Sequence, residues 1–164
     1  MIEIRKADRG DVKALKDLAE SLVPDSFKGV LNTSQVDFML DRYYSQEALQ
    51  DAIDEGMVYF IASVEGFDCG YVSVIKHGPD LFLMQKIFID STKWNIGVGT
   101  MLLNAVFDYV KSEHPGRCTV ELIINKHNPG LKFYEKHGMV MVRDKGMDMG
   151  DFYINEEVHA ITLN

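Results

Sequence analysis

A mixed α/β domain with a largely antiparallel sheet and one strand–helix–strand crossover is what this chain predicts. Three observations lead there. The length, 164 residues, suits one domain, taken as 1–164, large enough to bury a core without a metal or disulfide. The periodic segments run strand, helix, helix, three strands, helix, strand, helix, two strands. Finally, an apolar strand, Leu81 to Ile89, leads through a turn with two glycines directly into the most regularly apolar helix of the chain.

Each element has its own signal. Ile2-Glu3-Ile4-Arg5 alternates apolar and charged residues, the period of a strand. Asp8 or Asp11 starts a helix with Val12, Leu15, Leu18, Ala19 and Leu22 on one face, and Pro24 is expected to end it. A second helical region covers Thr33 to Glu55 with a break at Ser45; its apolar positions are Val36, Met39, Leu40 and Tyr43, then Leu49 and Ile53. Met57–Val64 and Gly70–Ile75 form a hairpin through Glu65-Gly66-Phe67-Asp68. Gly78-Pro79-Asp80 turns the chain into the run Leu81–Ile89. In the long helix Val98, Met101, Leu102, Ala105, Val106, Tyr109 and Val110 recur at spacings of three and four, and His114-Pro115-Gly116 stops it. Thr119–Ile124 is a strand. Asn128 is expected as N-cap of a short helix with Pro129 at its first position, and Gly138 closes it. Met139–Val142 and Phe152–Leu163 are the last β segments.

Hydrophobic residues at 46% and charged residues at 26% give a globular balance and exclude a disordered or fibrous chain. Lys and Arg number 17 against 25 Asp and Glu, a net charge of −8. Duplex affinity rests on clustered cations, so nucleic acid is not expected as a partner; a cationic small molecule suits the charge better. Cys69 and Cys118 lack metal-ligand spacing and read as reduced, buried thiols, and no metal is expected. The first residues are charged where a signal peptide would be apolar, and no apolar run approaches the ~20 residues of a membrane helix. A cytoplasmic protein away from membranes is the expectation. Pairing of identical chains is left open.

The segment Thr92-Lys93-Trp94-Asn95-Ile96-Gly97-Val98-Gly99-Thr100 carries the chemistry. Gly97 and Gly99 clear side chains where the backbone turns and where N–H groups would meet a ligand. A helix N-terminus adds oriented donors and partial positive charge, which together suit a pyrophosphate. Two glycines alone also fit a plain tight turn between strand and helix. The loop is neither a Walker A loop nor the three-glycine dinucleotide fingerprint.

A second segment sharpens the reading: Asn125-Lys126-His127-Asn128-Pro129-Gly130-Leu131-Lys132-Phe133-Tyr134-Glu135-Lys136-His137-Gly138-Met139. With the glycine loop before it, the chain resembles the GNAT superfamily of acyl-CoA N-acyltransferases. Their phosphate loop reads Arg/Gln-x-x-Gly-x-Gly/Ala, and their later helix Asn … Phe-Tyr-Glu-Lys-x-Gly-Phe. Here Phe133-Tyr134-Glu135-Lys136-His137-Gly138 matches, Met139 replaces the final Phe, Trp94 stands at the Arg/Gln position and Asn95 at the frequent Gly. Lys93 or Lys126 can supply the cation that Trp94 does not.

The resemblance implies a mixed, mostly antiparallel central sheet flanked by helices, with splayed central strands forming an acyl-CoA cleft. It implies acetyl-CoA as cofactor, its pantetheine arm paired with backbone near Ile87, Phe88 and Ile89. It places the pyrophosphate on the amides of Asn95, Ile96, Gly97, Val98, Gly99 and Thr100. It also brings Asn125 and Asn128 to the pantetheine region and makes Tyr134 the acid that protonates the departing thiolate. The strand before the loop lacks the carboxylate that many relatives carry there, so Glu121 on the next strand is the candidate base, or else an ordinary charged strand residue.

Two softer stretches, 31–45 and 146–157, resemble PaiA-type bacterial polyamine acetyltransferases. That likeness implies a small amine acceptor such as spermidine or spermine. Asp37, Asp41, Asp148, Asp151, Glu156 and Glu157 would hold its second ammonium, or else are solvated surface charges. The alternatives are an acetyltransferase acting on a protein N-terminus or another small amine, and a non-catalytic acyl-CoA sensor. Tyr43 is expected in the core and Tyr44 on a substrate wall, or both in the core. His77, His114 and His159 are expected at the surface; His127 and His137 flank the Tyr134 helix, at the surface or lining the cleft.

Overall fold

The N-terminal strand β1 (Ile2–Lys6) pairs antiparallel with β2 (Val58–Val64), from Ile2 opposite Val64 to Lys6 opposite Phe60. The alternation seen in the sequence thus becomes one edge of a sheet. The computed structural model describes the backbone of residues 1–148 and 153–164, and the side chains of 1–146 and 156–164. It divides into two units, 1–73 with 87–106 and 74–86 with 107–164.

In the first unit, helix α1 (Val12–Ser26) buries Val12, Leu15, Leu18, Ala19, Leu22 and Val23, the stripe its spacing predicts. Pro24 lies inside this helix rather than ending it. Its missing N–H removes the bond to the Glu20 carbonyl one turn earlier, yet the helix continues for two more residues to Ser26. Helices α2 (Thr33–Tyr44) and α3 (Gln46–Asp54) meet at Ser45, as expected. Ser45 is extended at φ −65°, ψ 158°, and its Oγ accepts from the Ala48 N–H at 3.1 Å, so one residue ends α2 and caps α3. The Asn32 and Gln35 side chains bond each other's backbone N–H at the start of α2, at 2.9 and 2.8 Å.

The turn between β2 and β3 (Phe67–Gly78) uses Glu65 and Gly66, both at positive φ, which matches the twist of a hairpin. Tyr71 on β3 stacks on Phe88 with ring centroids 5.1 Å apart and meets Tyr44 edge-on at 6.2 Å. Tyr44 is therefore the buried member of the tyrosine pair, and Tyr43 is half-buried under the Arg42 guanidinium, the reverse of the expected core-and-wall assignment. Burial pushes the Tyr44 hydroxyl up to about 12 and raises Tyr59 and Tyr71 too, so this cluster stays protonated.

The run Leu81–Ile89 is not one strand. It divides into β4 (Leu81–Met84) and β5 (Phe88–Ile89), separated by Gln85-Lys86-Ile87. β5 belongs to the first unit and pairs antiparallel with β3, Gly70 opposite Ile89 and Tyr71 opposite Phe88. A Cβ added to Gly70 would sit 2.6 Å from the Phe88 carbonyl oxygen, so only glycine allows this approach.

In the second unit, the end of β3 pairs antiparallel with β4, and β4 pairs in parallel with β6 (Cys118–Asn125). β6 pairs antiparallel with β8 (Tyr153–Leu163), which pairs antiparallel with β7 (Val140–Asp148). Val120, Leu122 and Ile124 of β6 and Val158 of β8 are wholly buried. The crossover from β4 to the parallel β6 passes through α4 (Val98–Glu113), the long apolar helix of the sequence. Helix α5 (Leu131–Lys136) begins after Gly130, two residues later than expected, so Pro129 precedes it. His159 is buried rather than at the surface, because β8 lies between β6 and β7 at that point, opposite Leu122 and Met141. Its Nε2 lies 3.1 Å from Glu157 Oε1. Among the described residues no helix is long and apolar enough to cross a membrane.

Candidate active site

Two groups of expected site residues lie in separate units. In the first unit they follow β5. The Asp90 N–H donates to the Cys69 carbonyl at 2.8 Å, toward β3. Backbone groups of successive strand residues point to opposite sides, so the Ile89 carbonyl faces away from β3. There the Trp94 indole Nε1–H donates to it at 3.0 Å. Asp90 Oδ1 accepts from the Thr92 N–H and hydroxyl, both at 2.9 Å, which starts a short 3-10 turn over Ser91–Lys93 and holds the Asp90 carboxyl below its usual range. Asn95 at φ 65° and Gly97 at φ 98° then reverse the chain into α4. Asn95 is one of the few residue types that tolerates this region, which explains how it replaces glycine.

The Met101 N–H donates to the Gly97 carbonyl at 3.1 Å, which ties the loop to the first turn of α4. Val98 is buried and anchors the helix, while Ile96 and Trp94 are 51% and 54% exposed. A Cβ at Gly97 would meet nothing within 4 Å, so the space on that side of Gly97 is open. Left-handed turns, a glycine facing open space and a helix N-terminus are the donor set a pyrophosphate requires. The residues present therefore fit the phosphate part of an acyl-CoA.

In the second unit, the β4–β6 ladder ends at Met84 opposite Leu122, whereas the β6–β8 ladder continues to Asn125 opposite Glu156. β6 thus extends past β4 on one edge. Two side-chain-closed turns follow: Asn125 Oδ1 accepts from the His127 N–H at 2.8 Å, and Asn128 Oδ1 from the Gly130 N–H at 2.7 Å. Asn128 caps a turn and not the helix itself. Tyr134 is buried on α5, its ring edge-on to Phe133 with centroids 5.3 Å apart. His137, half-buried, bonds the Phe133 carbonyl through Nδ1 at 2.8 Å and thereby finishes the helix; His127 is exposed. Glu121 is held by a two-point ion pair with Arg143, at 2.9 and 3.1 Å.

The sequence reading overlooked Lys86. It follows β4 where the strand breaks and is only 8% exposed; Glu156 of the same unit is 6% exposed. Burial pulls the Lys86 ammonium down to about 8 against the pull of Glu156, whose own carboxyl is raised by burial. Glu156, expected among the acids awaiting a substrate cation, already faces one. Asp37 and Asp41 are exposed on α2, and the side chains of Asp148 and Asp151 lie outside the described residues.

An unfolded lysine stays charged to about 10.5, while the folded one releases its proton near 8. Between those values the unfolded chain binds more protons, so raising pH favours the fold. Between pH 8 and 10.5 the wild type should therefore gain on Lys86→Met by up to about 3 kcal/mol. Denaturant midpoints of both proteins across this range measure it; parallel curves would refute the buried charge.

Residues 55–139 match the family model described as an acetyltransferase (GNAT) domain, just over half of the chain. An uncharacterised N-acetyltransferase of Methanocaldococcus jannaschii is 31% identical over 88 residues, which span 49% of this chain and 38% of that relative. Among solved structures, the PaiA N-acetyltransferase of Thermoplasma acidophilum in complex with coenzyme A is similar, with a TM-score of 0.83 and 16% identity over 98% of each chain. A ribosomal-protein alanine N-acetyltransferase of Escherichia coli gives a TM-score of 0.72 and 14% identity over 99% of this chain and 94% of its own.

Proposed function

This chain belongs to the GNAT acetyltransferase family, whose acetyl donor is acetyl-CoA, and from that premise we propose an N-acetyltransferase acting on a small amine, with a polyamine as the favoured acceptor. The observation that carries the transferase reading is the loop of Asn95 and Gly97, both at positive φ, which leads directly into the N-terminus of α4 with open space beside Gly97. Bound acetyl-CoA supplies an acetyl thioester. The amides of Asn95–Thr100 hold its phosphates, and the β5 edge around Ile87–Ile89 orients its arm with Asn125 and Asn128. Tyr134 keeps a proton for the sulfur. Glu121, bonded to Arg143, is assigned to receive the proton of the amine. That proton matters: an amine of pKa near 10.4 is mostly charged at pH 7, and its neutral form lies about 4.6 kcal/mol higher. We also read 1–164 as one acetyltransferase domain of the cytoplasm, a reading supported by two free, buried cysteines.

The polyamine acceptor is supported by the charge of −8 and by Asp37 and Asp41, one helical turn apart and exposed on α2. Spermidine should exceed a monoamine of similar length in kcat/KM by about 10-fold at low salt, and added salt should shrink the ratio by screening. A thiol-release assay with acetyl-CoA and an amine panel measures this. Equal rates for monoamines or peptides would remove the polyamine acceptor and leave the acetyltransferase standing.

A further inference from the structure

We infer that Trp94 competes with the pantetheine arm for the Ile89 carbonyl, so that occupation of the β5 edge displaces the indole. The inference rests on the acyl-CoA reading above. It starts from backbone alternation. With Gly70 opposite Ile89 and the Asp90 N–H bonded to Cys69, the hydrogen-bonding groups of Ile89 point away from β3. β5 pairs with β3 and, among the described residues, with no other strand. An exposed strand edge of this kind is a template for any extended amide-bearing ligand.

In this chain the Ile89 carbonyl is not idle. Trp94 lies five residues on, where the family pattern has Arg or Gln, and its Nε1–H donates to that oxygen at 3.0 Å. The indole N–H is a donor of the same kind as the amide N–H of a pantetheine arm. A bicyclic ring bonded at this oxygen occupies space along the edge that the arm would use. Trp94 is 54% exposed, so little packing holds the ring there and it can swing out. Trp94 thus supplies no cation to the phosphate loop and instead places an indole donor on the carbonyl of the adjoining edge. A ligand must give that carbonyl back a donor to gain anything from pairing with it.

Because Trp94 is the single tryptophan, it reports its own displacement. Coenzyme A and pantetheine should each shift the emission of the wild-type protein. 3′-Phosphoadenosine 5′-diphosphate, which carries all three phosphates without the arm, should bind with no such shift. Trp94→Phe keeps a ring but loses the donor, and should bind coenzyme A roughly 2- to 10-fold more tightly, as expected for one neutral hydrogen bond no longer contested. Its affinity for 3′-phosphoadenosine 5′-diphosphate should be unchanged, and calorimetry reads both constants. A Phe variant that binds coenzyme A no more tightly, or wild-type emission that stays fixed at saturation, would overturn the competition while the acyl-CoA reading stands. Binding of coenzyme A to neither protein would overturn that reading and the competition with it.

Discussion

Replacing Tyr134 by phenylalanine is expected to lower kcat about 100-fold or more while leaving the dissociation constant of acetyl-CoA within a few-fold. The reference values, about 10 for a tyrosine and about 8.5 for a thiol, leave a gap of about 1.5 units, small enough for the hydroxyl to protonate a departing sulfur. The ring is buried against Phe133, and phenylalanine keeps that packing, so the variant should fold with nearly the wild-type melting temperature. Single-turnover rates isolate chemistry from product release. An unchanged single-turnover rate would show that the sulfur leaves unaided or takes its proton elsewhere.

The second large effect is expected at Gly97. Wild-type protein at acetyl-CoA concentrations of 100 times Kd should gain about 2.7 kcal/mol of stability. Gly97→Val should lose that gain. The φ of 98° is a conformation that a β-branched residue scarcely adopts, so the loop must rearrange and its amides turn away from the ligand. The unliganded variant should itself be weaker by about 1–3 kcal/mol. Nothing lies within 4 Å of the added Cβ, so this loss comes from the backbone and not from a clash. Gly97→Asn is the control, since asparagine visits positive φ and should retain part of the cofactor response. A valine variant with the full melting shift would remove the loop from the cofactor site.

What the sequence disclosed depended on whether a signal was local. The break at Ser45 was legible because one residue type serves as both stop and cap. The loop of Asn95 and Gly97 was legible because few residues tolerate positive φ. Pro24 misled because a helix can run on past a proline when burial of its apolar face, here Leu22 and Val23, outweighs one lost bond. The division of Leu81–Ile89 was hidden because both halves are apolar; only partner strands reveal that β4 joins β6 while β5 joins β3. Asn128 misled for a different reason, since an asparagine that closes a turn and one that caps a helix are followed by the same residues. Burial of Lys86, Glu156 and His159 is set by strands distant in sequence, and charged residues carry no periodic signature that would announce it. The Glu121–Arg143 pair joins residues on β6 and β7, which are not even neighbours in the sheet, and lay equally out of reach.

Gly70 has a consequence for how the proposed edge could be tuned. Its missing side chain lets the Phe88 carbonyl come within 2.6 Å of where a methyl group would stand. The position of a two-residue strand is therefore metered by one absent carbon atom. An alanine there would meet Phe88 and Ile89 first, and would push Phe88 outward and carry the Ile89 carbonyl with it. Position 70 thus acts as a spacer setting: changes in ligand preference could arise from it with every ligand-facing side chain intact. Searches for altered variants that scan only the residues around the loop would miss this control.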